Sequence, residues 1–524
     1  MHKERYSQYY SIIKRAKEKY TSLLNKTKYL KSFEEKNAGL LSLIEFAVYH
    51  NIGIWTSSYI ETFYINYAGS IDIENYDIEY TPKSFLHVLT RGSVTGGHTR
   101  AAERWISNAP DTQSHSAVFL SPNDDDMSAL EQFTKEKNGE CIYFDKSLTL
   151  EQKALKLREL GMHYEYIILH THMDDVIPSA AFGTEKFTRP VLLYNHASHM
   201  FWLGKSIADL VLDIIKEDEV TAVKKNIKDT FFLGVPSKEI IYSKPDKTAL
   251  RKKLNLPLNK KIIMSSGTEQ KYYVIGNDNY AEIIKKIIDE DTYCYIIGVK
   301  KNNSFWKKIE YQSKGHIIPL GYINFNNGYM DYLSAADLYI DSYPVTGYAA
   351  MIDAVSRGVP SLSLKSADPQ LDYLIKTPAY CLEEEDFISK AKRILNDKNY
   401  AEEITADVQK SLEEYQSIPA WNRRIEELLK VCPKKHRVKD LSKEQDYSGI
   451  DDLSVLINIM TDKHSFDSKA VIKMIEKESY KDFSKYGINY RRSGVPYIFE
   501  VLSYKKSNIK TKVIKIFGFD AAVF

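Results

Sequence analysis

From the amino terminus to about residue 80, apolar side chains return every three or four positions. Tyr9, Ile12, Ile13, Ala16, Tyr20 and Leu23 show the spacing that predicts helix. At Ser84-Phe-Leu-His-Val-Leu-Thr90 the pattern becomes the short apolar run of a buried strand, and a glycine-bearing loop from Arg91 to His98 then leads into a helix through Trp105. Similar runs at 117–120, 141–144, 166–170 and 191–194 alternate with helical sequence. Alternation of this kind predicts a parallel sheet covered on both faces. A second set of runs lies at 262–266, 293–297, 316–320, 338–341 and 360–364, and helices follow at about 384–395, 400–414 and 420–430. The turn-rich, charged stretch from Gly234-Val-Pro236 to Pro257-Leu-Asn-Lys260 reads as a hinge between the two sets. The chain is thus expected to be α/β: a helical extension (1–83), two doubly wound domains (84–235 and 236–432) and a further extension (433–524). Doubly wound sheets bind ligands beyond the carboxyl ends of their strands, so loops from both halves are expected to meet in one cleft.

Composition narrows the function classes. A chain of 524 residues, 43% hydrophobic and 27% charged, is an ordinary globular one, long enough for two or three domains. The 72 basic and 70 acidic side chains nearly cancel, which argues against nucleic acid as a partner. Cys141, Cys294, Cys381 and Cys432 are scattered without metal-site or disulfide spacing and suit a reducing cytoplasm. There is no apolar amino-terminal stretch of signal length and no uninterrupted apolar run of membrane-spanning length. The expected location is cytoplasmic, with peripheral contact at the inner face of the membrane left open. Residues 433–524 carry 18 basic against 12 acidic side chains. They read either as a solvated appendage or as a surface that docks an acceptor or a membrane, and Val513-Ile-Lys-Ile-Phe517 is strand-like.

The most informative chemistry lies in Tyr343-Pro-Val-Thr-Gly-Tyr-Ala-Ala-Met-Ile-Asp-Ala-Val-Ser-Arg-Gly-Val-Pro360. An apolar strand ends in a glycine turn, and a helix starts near Ala349 and stops at Gly358. The amides of Gly347, Tyr348, Ala349 and Ala350, with the helix dipole, favour a pyrophosphate. Asp353, one turn further in, is placed for ribose hydroxyls. Asp341-Ser-Tyr-Pro, this loop, Asp353 and Arg357-Gly-Val-Pro360 together resemble the donor site of GT-B glycosyltransferases, most of all the O-linked N-acetylglucosamine transferase group. Two further stretches are similar to that family: Lys261-Ile-Ile-Met-Ser-Ser-Gly-Thr-Glu-Gln-Lys271, and Leu192 to Gly204 followed by Ala208 to Asp213.

The resemblance implies two Rossmann-like domains facing a cleft and a nucleotide-sugar co-substrate, with UDP as the expected carrier. It makes Lys271 the group that reaches the donor phosphates. Ser266 and Gly267 are expected beside them, and Tyr322 against the nucleobase. Retaining members of the commonest type carry a glutamate eight residues before the helix acid. That position is Val345 here, which favours inversion. With Lys271 and the helix amides stabilising the leaving diphosphate, no metal or other cofactor is expected.

A general base must come from the first domain, and histidine suits the task near neutral pH. Candidates are His98, beside Gly97 on its glycine-permissive loop; His196 and His199; and His170 with His172, Asp174 and Asp175. The last group also has metal-ligating residue types. Arg100 is favoured over Arg91 and Arg104 as a phosphate or acceptor clamp. Tyr272, Tyr273, Phe201 and Trp202 read as core more than as stacking platforms. The acceptor is a protein or a surface glycan. Two alternatives stay open: a sugar-nucleotide 2-epimerase, which would act on the donor alone, and a non-catalytic glycosyltransferase-like subunit that binds a protein partner.

Overall fold

The structure, a computed structural model, describes residues 7–50, 52–94, 96–196, 200–215, 227, 229–235, 246–274, 278–323, 328–366 and 373–441. They form two compact units, one built chiefly on residues 8–211 with 432–441, the other chiefly on 246–431.

In the first unit, α1 (Ser7–Lys28), α2 (Phe33–Tyr49) and α3 (Ser58–Ser70) precede β1 (Thr81–Leu89). There follow α4 (Gly97–Asn108), β2 (Ser114–Phe119), α5 (Ser128–Glu136), β3 (Cys141–Tyr143), α6 (Leu150–Met162), β4 (Tyr164–His170), α7 (Ile177–Phe182), β5 (Val191–Asn195), β6 (Leu210–Asp213) and β7 (Thr230–Phe232). The sheet runs β3-β2-β1-β4-β5-β6-β7, parallel from β3 to β5. Ser32 caps α2 by accepting from the Glu35 amide, and Thr149 with Gln152 forms a capping box on α6.

The amino-terminal helices are bound into this unit by buried charges whose partners are all made. The Glu61 carboxylate of α3 accepts from the amides of Gly204, Lys205 and Ser206 and from the Ser206 hydroxyl. The Arg158 guanidinium of α6 donates to the carbonyls of Ala68, Ile71, Ala180 and Ala181. Burying such groups is tolerable only when they are fully hydrogen-bonded. The chain after residue 431 returns to the same unit. His436, wholly buried, bonds Asp209 Oδ2 at 2.8 Å and the Phe182 carbonyl at 2.9 Å.

The second unit contains α8 (Lys247–Lys253), β8 (Lys261–Ser266), a 3₁₀ turn (Glu269–Tyr272), α9 (Tyr280–Ile287), β9 (Thr292–Ile297), α10 (Ser304–Gln312), β10 (Ile317–Gly321), α11 (Tyr329–Ser334) and β11 (Leu338–Ile340). It continues with α12 (Tyr348–Ser356), β12 (Ser361–Leu364), β13 (Tyr380–Cys381), α13 (Glu384–Asn396), α14 (Lys398–Gln416) and α15 (Ile418–Val431). Its sheet is parallel throughout, in the order β10-β9-β8-β11-β12-β13. Helical spacing decides what each helix buries: α9 turns Tyr280, Ile283, Ile284 and Ile287 inward, and α14 turns Ala401, Ile404, Val408 and Leu412.

The expected strands and closing helices are all present to within a few residues, except the run at 513–517, which lies outside the described residues. Part of the expected hinge (236–245) lies outside them too. Within the rest of it, α8 is no linker. Its buried Arg251 donates to the Ala335 carbonyl and pairs with Asp337 at 2.6 Å, tying the helix to the second sheet. Among the described residues no helix is long and apolar enough to cross a membrane.

Candidate active site

In the second unit, chemistry gathers at the carboxyl ends of β8 and β11. The 3₁₀ turn after β8 brings Lys271 against the segment that follows β11. Its Nζ donates to the Thr346 carbonyl at 2.5 Å, and its own carbonyl accepts from the Val345 amide at 3.3 Å. Asp341, the first residue past β11, closes that segment into a clamped turn. Its Oδ1 accepts from the amides of Ser342 and Gly347, each at 2.9 Å, and its Oδ2 from the Ser363 hydroxyl at 3.4 Å. Burial pushes the Asp341 carboxyl up to about 6, against the opposing pull of the Lys271 charge and the two amides.

Close packing forces glycine at two positions here. A Cβ on Gly347 would lie 2.8 Å from Asp341 Oδ1 and 3.2 Å from the Ser266 carbonyl. One on Gly298, whose φ is +95°, would lie 2.4 Å from the Gly267 carbonyl. At the start of α12, Ala349 is exposed, and among the described residues the Ala349 and Ala350 amides have no acceptor. They are first-turn donors, which a helix leaves unpaired. Half-buried Asp353 lies one turn on, next to Tyr329. The Tyr329 hydroxyl bonds Ser266 and is held above its ordinary range, chiefly by burial and then by the Asp353 charge.

The donor-site expectations need correction at one place. The Gly347 amide is taken by Asp341, so it is a structural donor in this turn rather than a ligand donor. Tyr348, whose expected contribution is its amide, opens α12; its ring packs edge-on to Tyr373 at 5.5 Å, with Gln416 donating to its hydroxyl. Gly267 lies over Lys271, its would-be Cβ 3.2 Å from Lys271 Cδ. Tyr322, just past β10, is 83% exposed. Tyr272 is buried, its hydroxyl 2.9 Å from Ser265 Oγ, and Phe201 and Trp202 are core residues of the first unit.

In the first unit, four imidazoles form one hydrogen-bonded row. His115 Nδ1 meets His87 Nε2 at 3.0 Å, His87 Nδ1 meets His170 Nε2 at 3.0 Å, and His170 Nδ1 meets His196 Nε2 at 3.2 Å. At the far end His115 Nε2 meets Gln113 Oε1 at 3.2 Å. The register explains the row. His115 pairs with Phe85, two residues before His87; His170 pairs with Leu89, two residues after it; and His196 follows β5 one further step along. Each crossing to the next strand advances two residues, which keeps all four rings on one face of the sheet. The Trp105 ring of α4 stands edge-on over His87 and His170, and Phe85 stacks on His115.

His98 adjoins the row. It lies in the first turn of α4 rather than on a loop, because the helix starts at Gly97; a Cβ on Gly97 would meet nothing within 4 Å, so no close approach requires that glycine. Its Nδ1 donates to the His170 carbonyl at 2.8 Å, and its ring stacks on His196 at 4.3 Å. A carbonyl can only accept, so neutral His98 carries its lone pair on Nε2. Burial, followed by the charge of His172, lowers His98 to about 4. Burial likewise lowers His115 to about 3 and holds His87, His170 and His196 well below the ordinary imidazole value.

His170 is therefore neither a free base nor a metal ligand, since both its nitrogens are spent within the row. Asp175 accepts from Thr90 Oγ1 at 2.7 Å and the Ile177 amide at 2.9 Å. His199 lies outside the described residues. His87, His115 and Gln113 belong to this row, and no local sequence pattern signals them.

No protein-family model matches the chain, and no curated protein does. Among solved structures it is similar to a glycosyltransferase from Rickettsia africae ESF-5, at 11% identity over 70% of this chain and 100% of that one, with a TM-score of 0.50. The fold is that of the GT-B glycosyltransferases. Also similar are Anabaena HepE in complex with UDP (12% identity, 66% of this chain, 99% of that one, TM-score 0.49) and a mutant of the Thermobaculum terrenum O-GlcNAc transferase (11%, 81% and 82%, 0.47). In GT-B terms, the Lys271–α12 constellation sits in the carboxyl-terminal domain and the histidine row in the amino-terminal one.

Proposed function

We propose that the chain is a Leloir glycosyltransferase, moving a sugar from a nucleotide donor, with UDP as the carrier, to a hydroxyl or amide of a protein or surface glycan. The observation that carries this reading is the placing of the Lys271 ammonium at a clamped turn, beside a helix start whose Ala349 and Ala350 amides lack a protein acceptor. A fixed cation and two fixed N–H dipoles are what a departing diphosphate needs, and each strong donor of this kind contributes about 3 kcal/mol to the transition state. Because Lys271 supplies the positive charge, the reading includes metal independence. Asp353 takes the ribose hydroxyls, Ser266 and Gly267 flank the phosphates, and Tyr322 contacts the base.

Inversion requires one base and no enzyme nucleophile. Val345, where retaining relatives place a glutamate, is apolar and buried. His98 and His196 are the base candidates, because each is a neutral imidazole whose second ring nitrogen keeps a lone pair outside the hydrogen bond that fixes the ring. The UDP and acceptor assignments rest on the family resemblance of the motifs.

The test is turnover of a panel of UDP- and GDP-sugars by the purified chain in EDTA, with protein and glycan acceptors present. Release of nucleoside diphosphate that disappears in Lys271→Ala supports the reading. Absence of nucleotide binding across the panel overturns it.

A further inference from the structure

The row of imidazoles allows two tautomer orders, one the reverse of the other, and the group that faces its outer end selects between them. Every link joins the Nδ1 of one ring to the Nε2 of the next, and a neutral imidazole carries one N–H. If His115 Nε2–H donates to Gln113 Oε1, then His115 Nδ1 must accept from His87, His87 Nδ1 from His170, and His170 Nδ1 from His196. All four rings are then protonated on Nε2, and the outer nitrogen of His196, Nδ1, is left with a lone pair. Any one ring turned alone to the other tautomer would place two N–H groups, or two lone pairs, face to face in the core, and reversing all four together requires Gln113 to present its NH₂ to His115 in place of Oε1. Among the described residues nothing bonds His196 Nδ1.

We propose that Gln113, His115, His87 and His170 form a relay that sets the tautomer of His196 and carries away the proton its Nδ1 accepts. The relay members are positioning residues; His196 alone meets the acceptor. As a proton bonds to His196 Nδ1, the Nε2 proton of each ring moves to Nδ1 of the next, and His115 Nε2–H is released at half-buried Gln113 into water. Each ring ends neutral in the opposite tautomer, and one proton has left the acceptor for solvent. When His196 Nδ1–H later gives its proton to water, His115 Nε2 takes one up from water at the Gln113 end, and the same hops run backward and restore the starting order.

A relay answers a difficulty that a lone base would face. The row is sheathed by Trp105, Phe85 and Tyr194, and a lasting imidazolium there would be a desolvated charge beside other rings. Passing the proton on avoids storing that charge. His98, whose Nδ1–H is fixed on the His170 carbonyl, stacks on His196 and holds its ring in the plane the row requires.

The catalytic use of the relay rests on the transferase reading above, but the tautomer order does not, and the experiment separates them. Full-length protein labelled with ¹⁵N-histidine, one of whose 13 histidines is changed at a time for assignment, reports each tautomer by nitrogen shift and each link by coupling across the N–H···N bond. The expected spectrum shows four Nε2–H rings coupled in the order His115, His87, His170, His196. Gln113→Glu offers only an acceptor and should keep that order. Gln113→Lys offers only donors and should reverse the tautomer at His196, three rings away, which a merely structural role would not do. Both changes are made at the half-buried end, away from the core, so folding should survive. With a donor sugar identified, Gln113→Lys should lower kcat by about 10²-fold at unchanged donor KM. Mixed tautomers in the parent protein, or a His196 signal indifferent to both changes, would overturn the relay. The expected spectrum in a protein that turns over no sugar nucleotide would overturn its catalytic use, and with it the transferase reading, while the tautomer order stands.

Discussion

Asp341→Asn separates the charge of the buried carboxylate from its shape. The parent side chain has its proton affinity raised from an ordinary 3.8 to about 6 by burial. At about 1.4 kcal/mol per tenfold change in proton affinity, ionising it in the folded state costs on the order of 3 kcal/mol more than in the unfolded chain. Because the folded value lies above the unfolded one, the folded state holds this proton more tightly. The stabilising contribution is therefore fully present below about pH 4 and is lost as pH rises through about 6. The asparagine keeps an oxygen for the Ser342 and Gly347 amides and does not titrate. Its unfolding free energy minus that of the parent should thus grow by ~3 kcal/mol between pH 4 and pH 7. Calorimetry of both proteins at matched pH cancels the other titrations, and hydrogen exchange at the Ser342 and Gly347 amides follows the opening of this turn itself. A difference that stays flat across that range would refute the claim that burial, opposed by Lys271 and the amides, controls this carboxyl. Asp341→Ala, which strands both amides, should instead destabilise at every pH, by about 1–3 kcal/mol for each lost partner.

Lys271→Ala should lower kcat/KM for the donor by about 10²–10³-fold, measured as nucleoside diphosphate release, with the fold intact by circular dichroism. Gly347→Ala drives a methyl against Asp341 Oδ1, itself held by two amides; it should destabilise the turn by about 1–3 kcal/mol and weaken nucleotide binding in calorimetric titration. Glu61→Ala leaves the Gly204, Lys205 and Ser206 amides without their acceptor and should lower the stability of the first unit by roughly 3–5 kcal/mol in urea unfolding, with Glu61→Gln costing less.

What the sequence made legible follows from what is local in a parallel α/β fold. Each strand is a contiguous apolar run and each helix a stripe of fixed period, so both sheets and most helices could be placed. The positions of Lys271 and Asp353 were legible for a related reason: Lys271 lies just past the end of a strand and Asp353 in the helix that follows another, where such folds carry their chemistry. Gly96-Gly97 misled. A glycine pair reads as loop, yet the first turn of a helix leaves its amides unpaired and tolerates glycine, so α4 begins at Gly97 and carries His98 with it. The Gly347 amide misled because its partner is a side chain six residues back, and no spacing rule says which way a carboxylate at a strand end will turn.

The histidine row shows where local pattern stops. Its members are separated by 28, 83 and 26 residues, so no window of sequence holds two of them. They meet because the strands are parallel and each crossing shifts the pairing by two residues, the one shift that advances along the strands while keeping every ring on the same face. A shift of one residue in β1 would send His87 to the opposite face and break the row between His115 and His170. The row is thus a property of the register, which is set by how the apolar runs settle against their covering helices. Trp105, placed by the period of α4 over His87 and His170, is the residue through which that packing holds the rings in line.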